Sequence, residues 1–150
     1  MRSPTSNDLG FTLLELIAAL AVACVLAAIA IPNWSVLLPT YRLNSSARQV
    51  QSELHRIKMQ AASENVGFQL VFSEGAADYT IQRDSNPWLT RPLPAGIIIA
   101  KAGTISFSPR GTAGGGRVRL LNVKGECTQV VASATGRVRV CKLNGCDGNC

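Results

Sequence analysis

Few residues of this sequence could do catalytic chemistry, and their spacing matches no catalytic site. His55 is the only histidine of the 150 residues, so a hydrolytic triad, which needs a nucleophile beside a positioned base, is not available. The glycine-rich run 111–116 lacks the Gly-Lys-Ser/Thr ending of a phosphate-binding loop and precedes a predicted strand, so we predict a flexible connection there. We therefore expect no catalytic residue and no cofactor, and we predict that the chain is not an enzyme.

The placement of the cysteines indicates covalent structure instead. Cys24 lies in an apolar run near the N-terminus, whereas the others fall close to the C-terminus, at Cys127, Cys141, Cys146 and Cys150. An even-numbered cluster in a region expected outside the cytoplasm is typical of disulfides. The alternative is a four-thiolate zinc site, which usually requires C-x2-C pairs that this sequence lacks. We predict two disulfides and no bound metal, and all three pairings stay open.

One acidic residue stands in an apolar setting. Glu15 is the single charge in the run 11–31, which contains no Lys, Arg or His to pair with it. A carboxylate in hydrocarbon is costly and by default has a partner. We predict a partner from outside the run and a role in assembly. The alternative is a carboxylate held near the membrane interface by its position early in the helix.

The run 11–31 is long enough to cross a membrane once. As a helix rising about 1.5 Å per residue, it spans about 30 Å, which is the thickness of the hydrocarbon core. A secretory signal peptide would have a shorter apolar part and an A-x-A-like cleavage site, and this segment has neither. We predict a polar leader at 1–10, a transmembrane helix segment at 11–31 and a head at 32–150.

The junction between the leader and the run resembles a known processing site. Its sequence is similar to the cleavage site of type IV prepilins and type II secretion pseudopilins, with a glycine before the cut, an aromatic residue after it and a glutamate five residues in: Gly10-Phe11-Thr12-Leu13-Leu14-Glu15-Leu16. The resemblance implies that a prepilin peptidase cleaves after Gly10 and methylates the amine of Phe11. It also implies that this freed amine, on the same chain or a neighbour's, is the partner of Glu15.

Beyond Pro32 the sequence has the pattern of an amphipathic helix. Apolar residues recur at steps of four, three and four while polar residues occupy the other faces, at Val50, Leu54, Ile57 and Ala61. Together with the apolar run, this predicts one element of about 50 residues that is bent near Pro32 and ends near Gly67.

The remainder has the pattern of a β-sheet. Short runs rich in β-branched residues are separated by Gly, Pro, Asn and Ser clusters, at 66–72, 79–83, 97–100, 105–108, 117–123, 127–132 and 137–141. Three prolines predict a loop at 85–95. A long N-terminal helix packed on an antiparallel β-sheet head is an α+β fold, and it is the pilin-like architecture that the resemblance implies.

Two segments of the head resemble one group within that family, the GspH/FimT-type minor pseudopilins and minor pilins. They are Ile105-Ser106-Phe107-Ser108-Pro109-Arg110-Gly111 and Gly136-Arg137-Val138-Arg139-Val140. Some FimT-like members are thought to bind DNA through a Gly-Arg-x-Arg segment near the C-terminus, which corresponds here to Arg137 and Arg139. The same tetrapeptide occurs earlier with Arg117 and Arg119.

These arginine pairs suit phosphate binding if they share a face. Residues two apart in a strand point the same way, about 7 Å apart, which is close to the phosphate spacing of one DNA strand. Hairpin loops of two or four residues would place all four arginines on one face. A direct Cys127–Cys141 bridge would instead require an odd-length second loop, which would move Arg137 and Arg139 to the other face. The alternative to DNA contact is a solvated sheet face.

Three hypotheses for function follow. The first is a minor pilin or pseudopilin structural subunit of a type II secretion pseudopilus or type IV pilus, assembled with other subunits through its N-terminal helix. The alternative is a FimT-like minor pilin that binds DNA for uptake in natural transformation. The net charge of +6 favours polyanionic partners in general, whether nucleic acid, anionic lipid headgroups or an acidic neighbouring subunit. A third, an unassembled anchored periplasmic protein, is disfavoured by the processing motif. We expect a single-pass protein of the bacterial inner membrane with its head in the periplasm, able to join a periplasmic or surface filament.

Overall fold

The computed structural model describes residues 12–143, 145–146, 148 and 150, with the side chains of 30–36 left out. The leader and the predicted cleavage site at Gly10 and Phe11 lie outside the described residues. The described residues form one helix and eight strands, α1 (Leu13–Glu64), β1 (Phe68–Phe72), β2 (Asp78–Arg83), β3 (Asn86–Pro92), β4 (Ile97–Lys101), β5 (Gly103–Phe107), β6 (Gly116–Asn122), β7 (Cys127–Ala132) and β8 (Val138–Leu143).

The chain divides into two compact units, 1–36 and 37–150. Within the described part of the chain, no helix is both long and apolar enough to qualify as a membrane-spanning segment. The crossing predicted at 11–31 begins at a residue that is not described, and it stays a prediction. α1 continues through Pro32. The bend that we predicted there stays a prediction.

In the second unit, α1 buries one stripe of apolar side chains. The stripe predicted from Val50 to Ala61 is confirmed and starts earlier, since the buried residues are Leu43, Ala47, Val50, Leu54, Ile57 and Ala61. They join the strands in one hydrophobic core. The helix ends where Asn65 adopts a positive φ of 56° and the N–H of Val66 bonds back to the carbonyl of Ala61, a common geometry at helix C-termini.

The head contains two antiparallel sheets, with strand orders β3-β2-β1-β5 and β4-β6-β7-β8. The two sheets come together at β5 and β6, where glycines permit a close approach of the backbones. A Cβ on Gly103 would collide with the main-chain oxygen of Arg117, and one on Gly116 would lie 2.6 Å from the carbonyl oxygen of Thr104. The predicted α+β fold, a long helix packed on an antiparallel β-sheet head, is correct.

The stretch 85–95 is not the loop that its prolines predicted. β3 occupies most of it and pairs with β2 through a tight turn in which Asp84 and Ser85 both have positive φ. β3 lies at the end of its sheet, and proline is tolerated there because an edge strand need not donate on both sides. Most side chains of β3 are exposed. The strand therefore lacks the alternation of apolar and polar residues by which strands are predicted from a sequence.

The glycine-rich run 111–116 connects β5 to β6, as predicted, and hydrogen bonds tie it to the fold at several points. The N–H of Gly114 donates to the carbonyl of Ser106 at 2.9 Å, and the N–H of Ala113 donates to that of Ala134 at 3.1 Å. A Cβ on Gly114 would collide with the hydroxyl of Ser106. The glycines therefore allow this connection to lie flat against β5.

Candidate functional site

The first candidate site is the start of α1, where Thr12 caps the helix. The N–H of Glu15 donates to the hydroxyl oxygen of Thr12 at 3.2 Å, the usual arrangement of an N-cap threonine. Glu15 thereby occupies the first turn, where the helix dipole favours a negative charge. Thr12 was missed at the sequence level, although the Thr-x-x-Glu spacing of a capping box could have revealed it.

The helix that follows Glu15 is apolar on all its faces. Its large side chains are exposed throughout 13–29, for example Leu13 at 77%, Leu20 at 58% and Ile29 at 70%. A helix that is hydrophobic all round requires an apolar environment or other helices around it. Among the described residues, no cation lies within ion-pair distance of Glu15. The segment thus presents one carboxylate in an apolar surface that the described chain leaves uncovered.

The second candidate site is the outward face of the β6-β7-β8 sheet, which carries the four candidate arginines. Register places Arg117 opposite Val131 and Val131 opposite Arg139. The alternate residues Val118, Val130 and Val138 are buried in the core. Because residues two apart share a face, Arg117, Arg119, Arg137 and Arg139 all belong to the side that points away from the core. We call this side the arginine face.

Both hairpin loops differ from the lengths on which that expectation rested. Asn122 pairs with Glu126 and Ser133 pairs with Arg137, so each loop has three residues rather than two or four. Compared with an even loop, an odd loop brings the other set of alternate residues of the next strand onto a given face. Two odd loops in succession restore the original relation between β6 and β8. The arginines therefore share one face for a different reason from the one predicted.

Arg119 is engaged by the C-terminal segment of the fold. Its guanidinium donates to Gln129 Oε1 at 3.2 Å, to the carbonyl oxygen of Cys146 at 2.6 Å and to that of Gly148 at 2.9 Å. It is partly buried, whereas Arg117, Arg137 and Arg139 are exposed. Arg119 thus holds the C-terminal segment against the sheet, and we expect it to contribute less to DNA contact than the sequence alone predicts.

Two disulfides fix the same C-terminal segment. They join Cys127 to Cys146, with Cα atoms 5.2 Å apart, and Cys141 to Cys150, with Cα atoms 5.9 Å apart. Cys24 is a free, exposed thiol. This pairing differs from the direct Cys127–Cys141 bridge considered at the sequence level. In the register, Cys141 lies opposite Gln129 and Cys127 lies opposite Leu143. Among the described residues, no cluster could hold a metal ion.

The glycine of the second Gly-Arg-x-Arg segment has a steric role. Gly136 has a φ of +75°, and a Cβ there would lie 2.8 Å from the carbonyl oxygen of Gly111 and 2.7 Å from Nζ of Lys58. Lys58 in turn donates to the carbonyl of Gly136 at 3.2 Å. The turn before Arg137 is thereby packed against both the helix and the glycine-rich run.

Positive charge is concentrated in the second half of the head. Residues 97–150 contain eight Lys or Arg and two Asp or Glu, whereas residues 37–96 contain six and five. Lys101, which was missed at the sequence level, lines an open groove with Arg117 and Arg119. The carboxylate of Glu126 lies at the turn between β6 and β7. The Thr40 hydroxyl and the Asn122 amide donate hydrogen bonds to it, and these bonds hold its pKa below the ordinary value.

The N-terminal segment matches a known sequence motif, and the fold matches solved structures. Residues 5–31 match the family model described as the prokaryotic N-terminal methylation motif. No curated protein sequence is similar enough to count as a relative.

Two solved structures share the fold. The minor pseudopilin EpsH from the type 2 secretion system of Vibrio cholerae aligns with a TM-score of 0.56 at 13% identity, over 67% of this chain and 97% of that one. The type IV minor pilin FimU of Pseudomonas aeruginosa aligns with a TM-score of 0.54 at 13% identity, over 71% and 96%. The N-terminal segment thus carries the prokaryotic N-terminal methylation motif, and the described fold is the pilin-like fold of these two proteins.

Proposed function

We propose that the protein is a minor pilin or pseudopilin that is cleaved after Gly10, methylated at Phe11 and assembled into a type II secretion pseudopilus or a type IV pilus. The observation that carries this proposal is the apolar surface of α1 from residue 13 to residue 29, exposed on all sides, which lies within the matched methylation motif at residues 5–31. The head closes its own hydrophobic core without that segment. The segment is therefore available for lipid before assembly and for other helices after it.

Glu15 would guide this assembly. Removing a carboxylate from water into an apolar helix bundle is unfavourable unless a cation accompanies it. The methylated amine of Phe11 on an adjacent subunit is such a cation, and it would fix the axial position at which two helices meet. Prepilin peptidase, the inner membrane and the other subunits are the partners that this role requires, with the head in the periplasm.

Filament entry is the experiment that tests the role. Cells that carry the other subunits are sheared, the released filaments are purified, and the protein is quantified in them by immunoblotting. We expect the processed form in the filament fraction. Processed protein that stays wholly in the membrane fraction, while the other subunits are released, would contradict the proposal.

A second candidate function is DNA binding by the same scaffold, and the arginine face is the observation that favours it. Arg117, Arg137 and Arg139 are exposed on one side of the sheet, and Lys101 lies beside Arg117. Arginine suits phosphate oxygens because its planar guanidinium donates two parallel hydrogen bonds. We infer contacts to phosphates rather than bases, since the face offers neither a helix for the major groove nor a row of aromatic rings.

A further inference from the structure

The outer edge of β8 is open in the described part of the head, whereas the other strands at the ends of the two sheets are protected. β3 contains Pro87 and Pro92, which offer no N–H to an incoming strand. β4 is covered by the β1–β2 loop, where Gly75 donates to Ile99 and Ile99 donates to Ala76, each at 2.9 Å. β5 is covered by the glycine-rich run.

The register identifies which main-chain groups of β8 face outward. Ser133 and Arg137 form a hydrogen-bonded pair, and such pairs alternate with non-bonded ones along an antiparallel ladder. Val138, Val140 and Lys142 therefore occupy non-bonded positions opposite β7. Their N–H and carbonyl groups point away from the sheet, and none of them has a hydrogen bond among the described residues.

Positive charge lies on both sides of this edge. Arg137 and Arg139 belong to the arginine face on one side. On the other side, Lys142 lines a groove together with Arg48 and Tyr41 from α1. The side chains of an added strand alternate between these two sides, so both sets would meet cations. Glu126 is the one acidic residue that the structure describes in 97–150, and it lies at the opposite end of β7 from Arg137.

We propose that the outer edge of β8 binds an extended, acidic segment of a neighbouring protein, which pairs with Val138, Val140 and Lys142 as an added strand. Main-chain hydrogen bonds would supply affinity, and the flanking cations would select acidic side chains. The same cations would repel the β8 edge of a second copy of this chain, which guards the edge against self-association. The proposal does not depend on which filament the protein joins.

The direct test uses the full chain in mild detergent and a short labelled synthetic peptide in which Glu alternates with Thr. We expect saturable binding by fluorescence anisotropy. Amide hydrogen exchange of Val138, Val140 and Lys142 should slow in the complex, because these N–H groups become hydrogen-bonded. A peptide of the same sequence with N-methylated backbone amides cannot pair and should not bind. Equal binding of the two peptides, or unchanged exchange at the three amides, would overturn the proposal.

Two substitutions at one position separate pairing from charge. Lys142→Ala removes the charged side chain and keeps the main-chain N–H, whereas Lys142→Pro removes both. Neither costs a bond to β7, because position 142 is non-bonded there. We expect Lys142→Pro to bind the peptide about tenfold more weakly than Lys142→Ala. The reason is that proline removes one main-chain hydrogen bond to the peptide and disturbs the adjacent one. Equal affinities would show that charge alone attracts the peptide, and the proposal would be wrong.

The arginine face supplies the remaining control. A variant with Arg117, Arg137 and Arg139 all changed to Gln should bind the peptide more weakly but still show protected amides at saturation. If that variant loses all binding and the amides of wild type never become protected, the peptide is held by the arginine face and the edge is not a docking site. If Lys142→Pro fails to fold, the N-methylated peptide and the exchange measurement decide the question.

Discussion

The main-chain N–H of Glu15 donates to the hydroxyl oxygen of Thr12 at 3.2 Å, so the residue proposed to guide assembly also lies within the cap of its own helix. Two roles therefore meet at this position. One is local, in which a carboxylate in the first turn stabilises the start of the helix. The other is intermolecular, in which the carboxylate attracts a cation of a neighbouring subunit. Substitutions at the two positions separate these roles.

Glu15→Val should reduce entry into the filament, because the side chain no longer attracts a neighbour's amine. It should also increase retention in the membrane, because a carboxylate no longer has to be placed in hydrocarbon. Thr12→Ala is the matched control, since loss of the cap costs about 1 kcal/mol of helix stability and leaves the carboxylate in place. Immunoblots of sheared filaments measure both variants. Equal filament entry by Glu15→Val and wild type would contradict the assembly role, and equal defects in the two variants would assign Glu15 to the cap.

Gly10→Val should leave the protein unprocessed, because the branched side chain occupies the position before the predicted cut. Mass spectrometry of the purified N-terminus should find N-methylated Phe11 in wild type and an intact leader in the variant. Leu9→Val, which changes the preceding residue, is expected to be processed normally. Recovery of unprocessed wild type from cells with an active prepilin peptidase would refute the prediction.

The four C-terminal cysteines should be found as Cys127–Cys146 and Cys141–Cys150, leaving Cys24 as the only thiol that labels in unfolded, unreduced protein. Peptide mapping without reduction identifies the pairs. Reduction should lower the free energy of unfolding by about 2–4 kcal/mol for each bridge. A Cys127–Cys141 peptide, or labelling of any of the four, would contradict the observed pairing.

If the arginine face binds DNA, three arginines rather than four should contribute, because Arg119 is held by the C-terminal carbonyls. The logarithm of affinity for a short duplex should then fall with the logarithm of salt concentration at a slope of about −2.7. Changing Arg137 and Arg139 to Gln should flatten that slope by about two units.

The charge-matched control for this titration is Arg83 and Arg91 changed to Gln, since both lie on the other sheet. This control should leave the slope nearly unchanged. No binding at low salt, or equal effects of the two double variants, would remove the DNA hypothesis and leave the structural subunit.

Tyr79→Phe should change stability mainly at alkaline pH. Tyr79 is 2% exposed, and burial raises its pKa to about 12, with the nearby Glu53 adding to the effect. Because the unfolded tyrosine ionises near pH 10 and the folded one does not, wild type should lose about 2 kcal/mol of stability between pH 10 and pH 12 that the variant keeps. The hydroxyl lies near Gln49 but makes no hydrogen bond of ordinary geometry among the described residues, so the variant should be about as stable as wild type at pH 7. Urea unfolding at several pH values measures both effects.

The sequence predicted the parts of the fold that depend on periodicity. The helix stripe around Leu54 and the buried strands followed from apolar spacing, whereas β3 did not, because Pro87 and Pro92 are acceptable on an edge that periodicity does not report. The arginine face was predicted from strand alternation, although its loop lengths depend on turn geometry around Gly125 and Gly136. The engagement of Arg119 could not be predicted, because its acceptors are carbonyls that only the disulfides bring into place.

The two three-residue turns have a consequence for how sequences of this kind can diverge. A residue inserted into or deleted from either turn changes only the loop, because Asn122 can still pair with Glu126 and Ser133 with Arg137, so the strand residues keep their faces. A residue inserted within β7 would instead move the residues beyond it to the opposite face, burying Arg139 and exposing Val138 unless a bulge absorbs it. Related chains should accordingly vary in the lengths of these turns but keep the spacing within β7 and β8, and this pattern can be read by eye from aligned sequences.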